Sequence, residues 1–238
     1  MGSISISIND LLNFSGEELV AVGLSFRVAL WCAILTLPPS VMIAWWLARK
    51  NFKGKSIAEG FFNLPLVLPP VATGFILLLL LGKNGFIGKY LNEWFGIKLA
   101  FSFYAAIIAS IVVSFPLAIR AIRLSIEMID PAYEEAAKTL GANSLQTFFR
   151  ITLPLALPGI VSGFVLAFAR SLGEFGATII FAGNISGETQ TIPLALFNEI
   201  QIPGHETSAF RLLLVAVVFS FAAMSFSEFL VKKLHHHQ

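Results

Sequence analysis

Charge is scarce in this chain, and cysteine is almost absent. Only 13% of its 238 residues are Asp, Glu, Lys or Arg, too few to solvate a soluble domain of ordinary composition. The single cysteine, Cys32, excludes an internal disulfide and reads as a small apolar core residue. No G-x-x-x-x-G-K-[ST] phosphate loop occurs, so any nucleotide-driven work has to be supplied by another polypeptide. The net charge of +2 describes no basic face for nucleic acid. What is abundant is apolar: 56% of the residues are hydrophobic and 23 are Phe. That composition places the chain in lipid.

Apolar runs of roughly 20 residues or more, the length that crosses a bilayer, cover 18–48, 57–81, 101–122, 156–182 and 207–231. The fold expected is all-α, a polytopic membrane bundle of five transmembrane helices forming one domain over 1–238. The first run follows an acidic lead with Asp10, Glu17 and Glu18 and has no basic n-region or small-residue cleavage pattern, so it reads as a retained span. It exceeds the hydrocarbon depth, which implies tilt, a bend at Pro38-Pro39 or a protruding end.

Lys and Arg near span ends set orientation. Arg49, Lys50, Lys53, Lys55, Arg120, Arg123, Lys138, Arg150, Lys232 and Lys233 gather on one side, against Lys83, Lys89 and Lys98 on the other. The N-terminus is therefore expected outside and the C-terminus in the cytoplasm. The His235–His237 run, native or a tag remnant, enters no functional argument. The outside loop 82–100, with Gly85, Gly88, Gly96 and Trp94, fits a short interfacial hairpin or helix, read as a membrane-surface anchor in preference to a ligand contact.

Proline interrupts the spans at Pro65, Pro69, Pro70 and Pro116. Each removes a backbone donor, and the freed carbonyl has to be satisfied by protein or water alongside. A simple kink explains any one of them, whereas the cluster Leu64 to Pro70 suggests a pathway-lining helix. In the fourth run Arg170 and Glu174 stand four residues apart in apolar surroundings. At about 100° per residue they share an arc with Gly159, Gly163, Ala167 and Ser171, while Val161, Phe164, Val165, Phe168, Leu172 and Phe175 form a face expected toward lipid. Three roles fit the charged pair: a structural intramembrane bridge, a gate or pathway wall, and direct anion binding.

The longest charged interval, about 124–155, exceeds what joining two helices requires. Asp130-Pro131 is a helix start, because Asp accepts orphan N–H groups and Pro is preorganised at the first position. Gly141 is a stop. The intervening Ala132 to Leu140 makes a rod of roughly 15 Å at 1.5 Å per residue, with Glu134 and Glu135 near its positive end. Asn143 or Ser144 offers a second cap, and Leu145 to Ile151 continues past Phe148 and Phe149, an apolar pair outside the bilayer that calls for a partner.

Glu134-Glu135-Ala136-Ala137, three residues, Gly141, nine residues, Ile151 and then Leu153-Pro154 resemble the EAA loop of ABC-importer permeases. Residues 169–177 and 187–193 are similar to the permeases of molybdate importers, and with Leu64 to Pro70 the resemblance covers essentially residues 18–231. It implies a type I importer permease, a non-enzyme with no cofactor or metal of its own. A second copy of the chain, two ABC ATPase subunits that bind ATP and Mg, an extracytoplasmic oxyanion-binding protein and membrane lipid are its implied partners. Nucleic acid is not among them. The ATPase-coupling residues carried over are Glu134, Glu135, Ala136, Ala137, Leu140, Gly141, Phe148, Leu153 and Pro154, and the pathway or gate residues are Arg170, Ser171, Glu174, Pro69 and Pro70. The cargo implied is molybdate, with tungstate, sulfate or thiosulfate as alternatives, and the site is the bacterial inner membrane. Some relatives carry an additional N-terminal span, so a six-span description is not transferred. An intramembrane enzyme using Glu174 or His205 lacks a catalytic His, Asp or Cys at suitable spacing, and a secondary transporter would be supported by inverted repeats that are not found.

Overall fold

The computed structural model describes residues 13–235; Asp10 of the polar lead and His236 and His237 of the terminal run lie outside them. Among the described residues every regular element is helical. Helix α1 (Gly16–Arg49) starts on a capping box, in which the Ser15 hydroxyl accepts from the Glu18 N–H and the Glu18 carboxylate accepts from the Ser15 N–H. It runs through Pro38 and Pro39 for 34 residues without a break.

A bent pair follows, α2 (Lys55–Val67) and α3 (Pro70–Leu81), turned by 109° between them. Pro69 and Pro70 dictate that corner, since neither can donate to a preceding carbonyl and the residue ahead of a proline is driven out of the helical region. Helix α4 (Gly88–Phe95) falls in the loop 82–100, where a short hairpin or helix is expected from sequence. Helix α5 (Phe103–Glu127) is capped by Ser102, whose hydroxyl accepts from Ala105 N–H. The charged interval holds α6 (Pro131–Thr139), α7 (Ser144–Thr147), a π-helical turn over Phe148–Thr152 and α8 (Leu153–Leu155). Helix α9 (Leu157–Leu172) leaves that segment at 69°. The chain then continues as α10 (Gly176–Phe181), α11 (Ile192–Glu199) and α12 (Glu206–His235).

Among the described residues three helices, α1, α5 and the Glu206–Phe226 part of α12, are long and apolar enough to cross a membrane, and the two bent pairs raise the number to five if each is one span. The fourth apolar run is not one continuous helix: it breaks at Gly173–Phe175 between α9 and α10.

The core lies where α1, α5 and α9 pack together. Small side chains line the contact, among them Ala29, Cys32, Ala33, Ala105, Ala109 and Ala167, all fully buried, and such residues let backbones approach closely. Gly159 and Gly163 of α9 touch Ser125 and Ile122 of α5, so the small-residue arc does meet a helix. Cys32 is a core residue as expected, donating to the Ser114 hydroxyl. The face expected toward lipid needs correction, because Val165 and Leu172 are buried. Helices α1, α5 and α12 all pack on α9 and together cover more of it than one arc. Near the N-terminal end of α1 Glu18 accepts from Arg211, joining α1 to α12, and Ser25 accepts from Ile192 N–H, joining α1 to α11. Of the three long helices α12 is the least covered, with only 11% of its apolar window buried, as suits a helix bathed in lipid.

Candidate functional site

Two regions gather the residues singled out from sequence. The first is the charged interval. The Asp130 carboxylate accepts from Ala132 N–H at 2.9 Å, as its cap position requires. Helix α6 stops where Gly141 adopts φ +90°, a left-handed conformation that glycine enters without strain. Gly141 and Ala142 N–H then satisfy the carbonyls of Lys138 and Ala137. Asn143, not Ser144, starts the next helix, in a reciprocal cap with Gln146. Leu145 to Ile151 is not one regular helix, since the π-turn intervenes from Phe148.

The side chains of α6 divide sharply. Glu135 and Ala136 are exposed, as are Tyr133 and, at 88%, Leu140. Glu134 is the one buried residue of the helix. Its Oε1 accepts from Arg49 Nε at 2.9 Å and from the Thr152 hydroxyl at 2.8 Å. Arg49 Nη2 also donates to the Ile129 carbonyl at 3.1 Å. A cavity of about 370 Å³ borders this node, lined in part by Lys50, Glu135 and Lys138. Ala137 is half-buried, Leu153 half-buried and Pro154 exposed. The Phe148-Phe149 pair is split, correcting the expectation of two exposed rings: Phe148 packs on Trp45 with ring centroids 5.1 Å apart, while Phe149 remains exposed.

The second region is the meeting of two interruptions. The corner at Pro69-Pro70 lies against the break after α9: a Cβ on Gly176 would sit 2.7 Å from the Pro70 Cβ, and one on Gly74 would sit 2.6 Å from the Ala177 carbonyl oxygen. Only glycine permits these backbones to touch. Arg170 closes the last turn of α9 and Glu174 opens α10, so each charge faces the helix end of opposite polarity. Glu174 Oε1 accepts from Ala177 N–H at 2.7 Å, capping α10. Arg170 Nη2 stands 2.8 Å from Oε2, an ion pair made by proximity without a well-aligned hydrogen bond. Glu174 is 2% exposed and Arg170 is 28% exposed, and the Ser171 hydroxyl is buried with no protein partner among the described residues. Arg170, Ser171, Glu174, Pro69 and Pro70 thus come from two separated segments to one junction.

Residues 40–236 match the family described as the binding-protein-dependent transport system inner membrane component. The chain belongs to that family. It is 55% identical to the molybdenum transport system permease protein ModB of Haemophilus influenzae over 217 residues, covering 91% of this chain and 95% of that protein. It is 50% identical to the ModB protein of Escherichia coli K12 over 215 residues, covering 90% and 94%. Among solved structures, a bacterial ABC transporter involved in import of the acidic polysaccharide alginate superposes with a TM-score of 0.75 at 17% identity, covering 97% of this chain and 85% of that one. At that identity the likeness concerns the fold. The two gathered regions differ in setting, one in a charged, exposed segment and one among apolar helices.

Sequence reasoning used Arg49 only as an orientation signal and passed over Thr152. Arg49 lies 85 residues from Glu134, and no local pattern joins them. The one available hint was a basic residue closing a span opposite an acidic pair in a loop on the same side.

Proposed function

We propose that the chain is a five-span permease subunit, each bent helix pair counting as one span, with its N-terminus outside and its C-terminus in the cytoplasm. Residues 1–238 form one permease domain. Two copies enclose a pathway for a tetrahedral oxyanion, molybdate by relation to the ModB proteins. An extracytoplasmic binding protein delivers the anion, and two separate ATPase subunits, which hold ATP and Mg, dock under α6. The chain itself binds no cofactor and hydrolyses nothing.

The observation that carries this reading is α6: a capped rod ended by Gly141, with Glu135 and Leu140 offered to solvent and Glu134 turned inward. A segment held from behind and exposed in front can receive a push. Leu153 and Pro154 lead that push into α9, and Phe148 leads it to Trp45 of α1. The Arg170–Glu174 pair and the Pro69-Pro70 corner form the wall or gate where two broken helices slide against each other. Direct anion binding by Arg170 is disfavoured because Glu174 already neutralises it.

Reconstituted vesicles test the reading. Molybdate uptake is expected only when binding protein, ATPase and ATP are all present, with tungstate accepted and sulfate taken up more weakly. Gradient-driven flux by this chain alone would overturn the proposal, and a preference for sulfate would overturn the cargo. Leu140→Arg is expected to lower co-purification of the ATPase while the membrane part still folds; unchanged co-purification and uptake would remove α6 from the docking surface.

A further inference from the structure

Nothing in α6 except Glu134 is buried, so that carboxylate is the rod's main side-chain grip on the rest of the protein. One guanidinium holds it. Arg49 uses Nε on Glu134 inside α6 and Nη2 on the carbonyl of Ile129, just ahead of α6, while Thr152 on the far side of the loop donates to the same carboxylate oxygen. The planar fork of Arg can satisfy both acceptors at once, and a Lys ammonium at the same place cannot match that geometry. Arg49 ends α1, and α1 packs along α5 and α9 through Ala44, Leu47, Ile119, Ile122 and Ala156.

We propose that Arg49 is a positioning residue for energy coupling: it fastens α6 to the end of α1, so that displacement of α6 moves the first long helix directly. Without it the motion of α6 would reach α1 only indirectly, through Met128 to Asp130 into α5, or through the π-turn into α9 and across Phe148 to Trp45. The π-turn and the 69° bend before α9 are compliant places in that second route. The Arg49 link bypasses them. This rests on the reading of α6 as the ATPase-docking rod.

The test uses the assembled complex in vesicles, with radiolabelled molybdate as cargo, and reads three quantities: ATPase co-purification, ATP hydrolysis, and molybdate imported per ATP hydrolysed. Arg49→Gln is expected to keep the ATPase bound and hydrolysing while import per ATP falls about tenfold, within the range of ordinary coupling energies. Arg49→Lys retains the charge opposite Glu134 but loses the Ile129 contact, and its ratio is expected to fall only about threefold. A purely structural role would lower assembly and leave the ratio of the surviving complexes unchanged, and that result would overturn the proposal. Should Arg49→Gln fail to assemble, an unaltered ratio in Arg49→Lys overturns it equally. Import by the unsubstituted complex without ATP would instead sink the reading of the chain as an ATPase-coupled permease.

Discussion

Two ion pairs of this protein look alike on paper and do different jobs. Arg170 and Glu174 are four residues apart and seal a break in one stretch of chain, whereas Arg49 and Glu134 are 85 residues apart and join the end of a long helix to a rod. The local pair can fix only its own neighbourhood. The distant pair makes two elements move as one. Both have a carboxylate shared with a second donor, Ala177 N–H in one case and the Thr152 hydroxyl in the other. Sequence separation, not burial or distance, decides which of them can carry force across the molecule.

The contrast can be broken experimentally, and the largest effect should come from Glu134→Ala. It strands Arg49 in a mostly covered site and takes a partner from Thr152, so the purified chain is expected to lose about 3 kcal/mol of stability, measured as a fall in the thermal unfolding midpoint. Next is Gly74→Val, which pushes a side chain into the Ala177 backbone and is expected to cost about 2 kcal/mol by overpacking, again seen in thermal unfolding. Glu174→Gln keeps an acceptor for Ala177 N–H and releases an Arg170 that is already 28% exposed. About 1 kcal/mol is expected, and a loss as large as that of Glu134→Ala would erase the distinction drawn between the pairs. Thr152→Val should be the mildest, under about 1 kcal/mol, because Arg49 still holds Glu134; its signature is a small drop in uptake with the unfolding midpoint nearly unmoved.

Local signals were readable in the sequence. Asp130-Pro131, Gly141 and Asn143 act on the backbone within three or four residues, and the structure puts helix starts and a stop at each. The corner at Pro69-Pro70 was marked by its prolines, though the 109° turn was not. The break at Gly173–Phe175 is hidden in the sequence because apolar residues continue through it and Gly173 alone is a weak signal, and the burial of Val165 and Leu172 is hidden because it comes from several helices packing around α9, which the periodicity of one helix does not report. Of the residues proposed for coupling, Glu134 is named by the motif, but its inward orientation depends on Arg49, and partners so far apart meet only through tertiary packing.

Helix α4 has a consequence for where the whole molecule sits. A Cβ on Gly88 would come within 2.0 Å of the Gly82 carbonyl oxygen and 2.5 Å of that of Leu81, so the start of α4 is pressed against the tip of α3. Tyr90 and Trp94 ride on it, half to three-quarters exposed, and such rings favour the water-lipid boundary. With little slack between ring-bearing helix and span, the aromatic pair works as a waterline painted on the hull, held at a fixed height relative to the tip of α3.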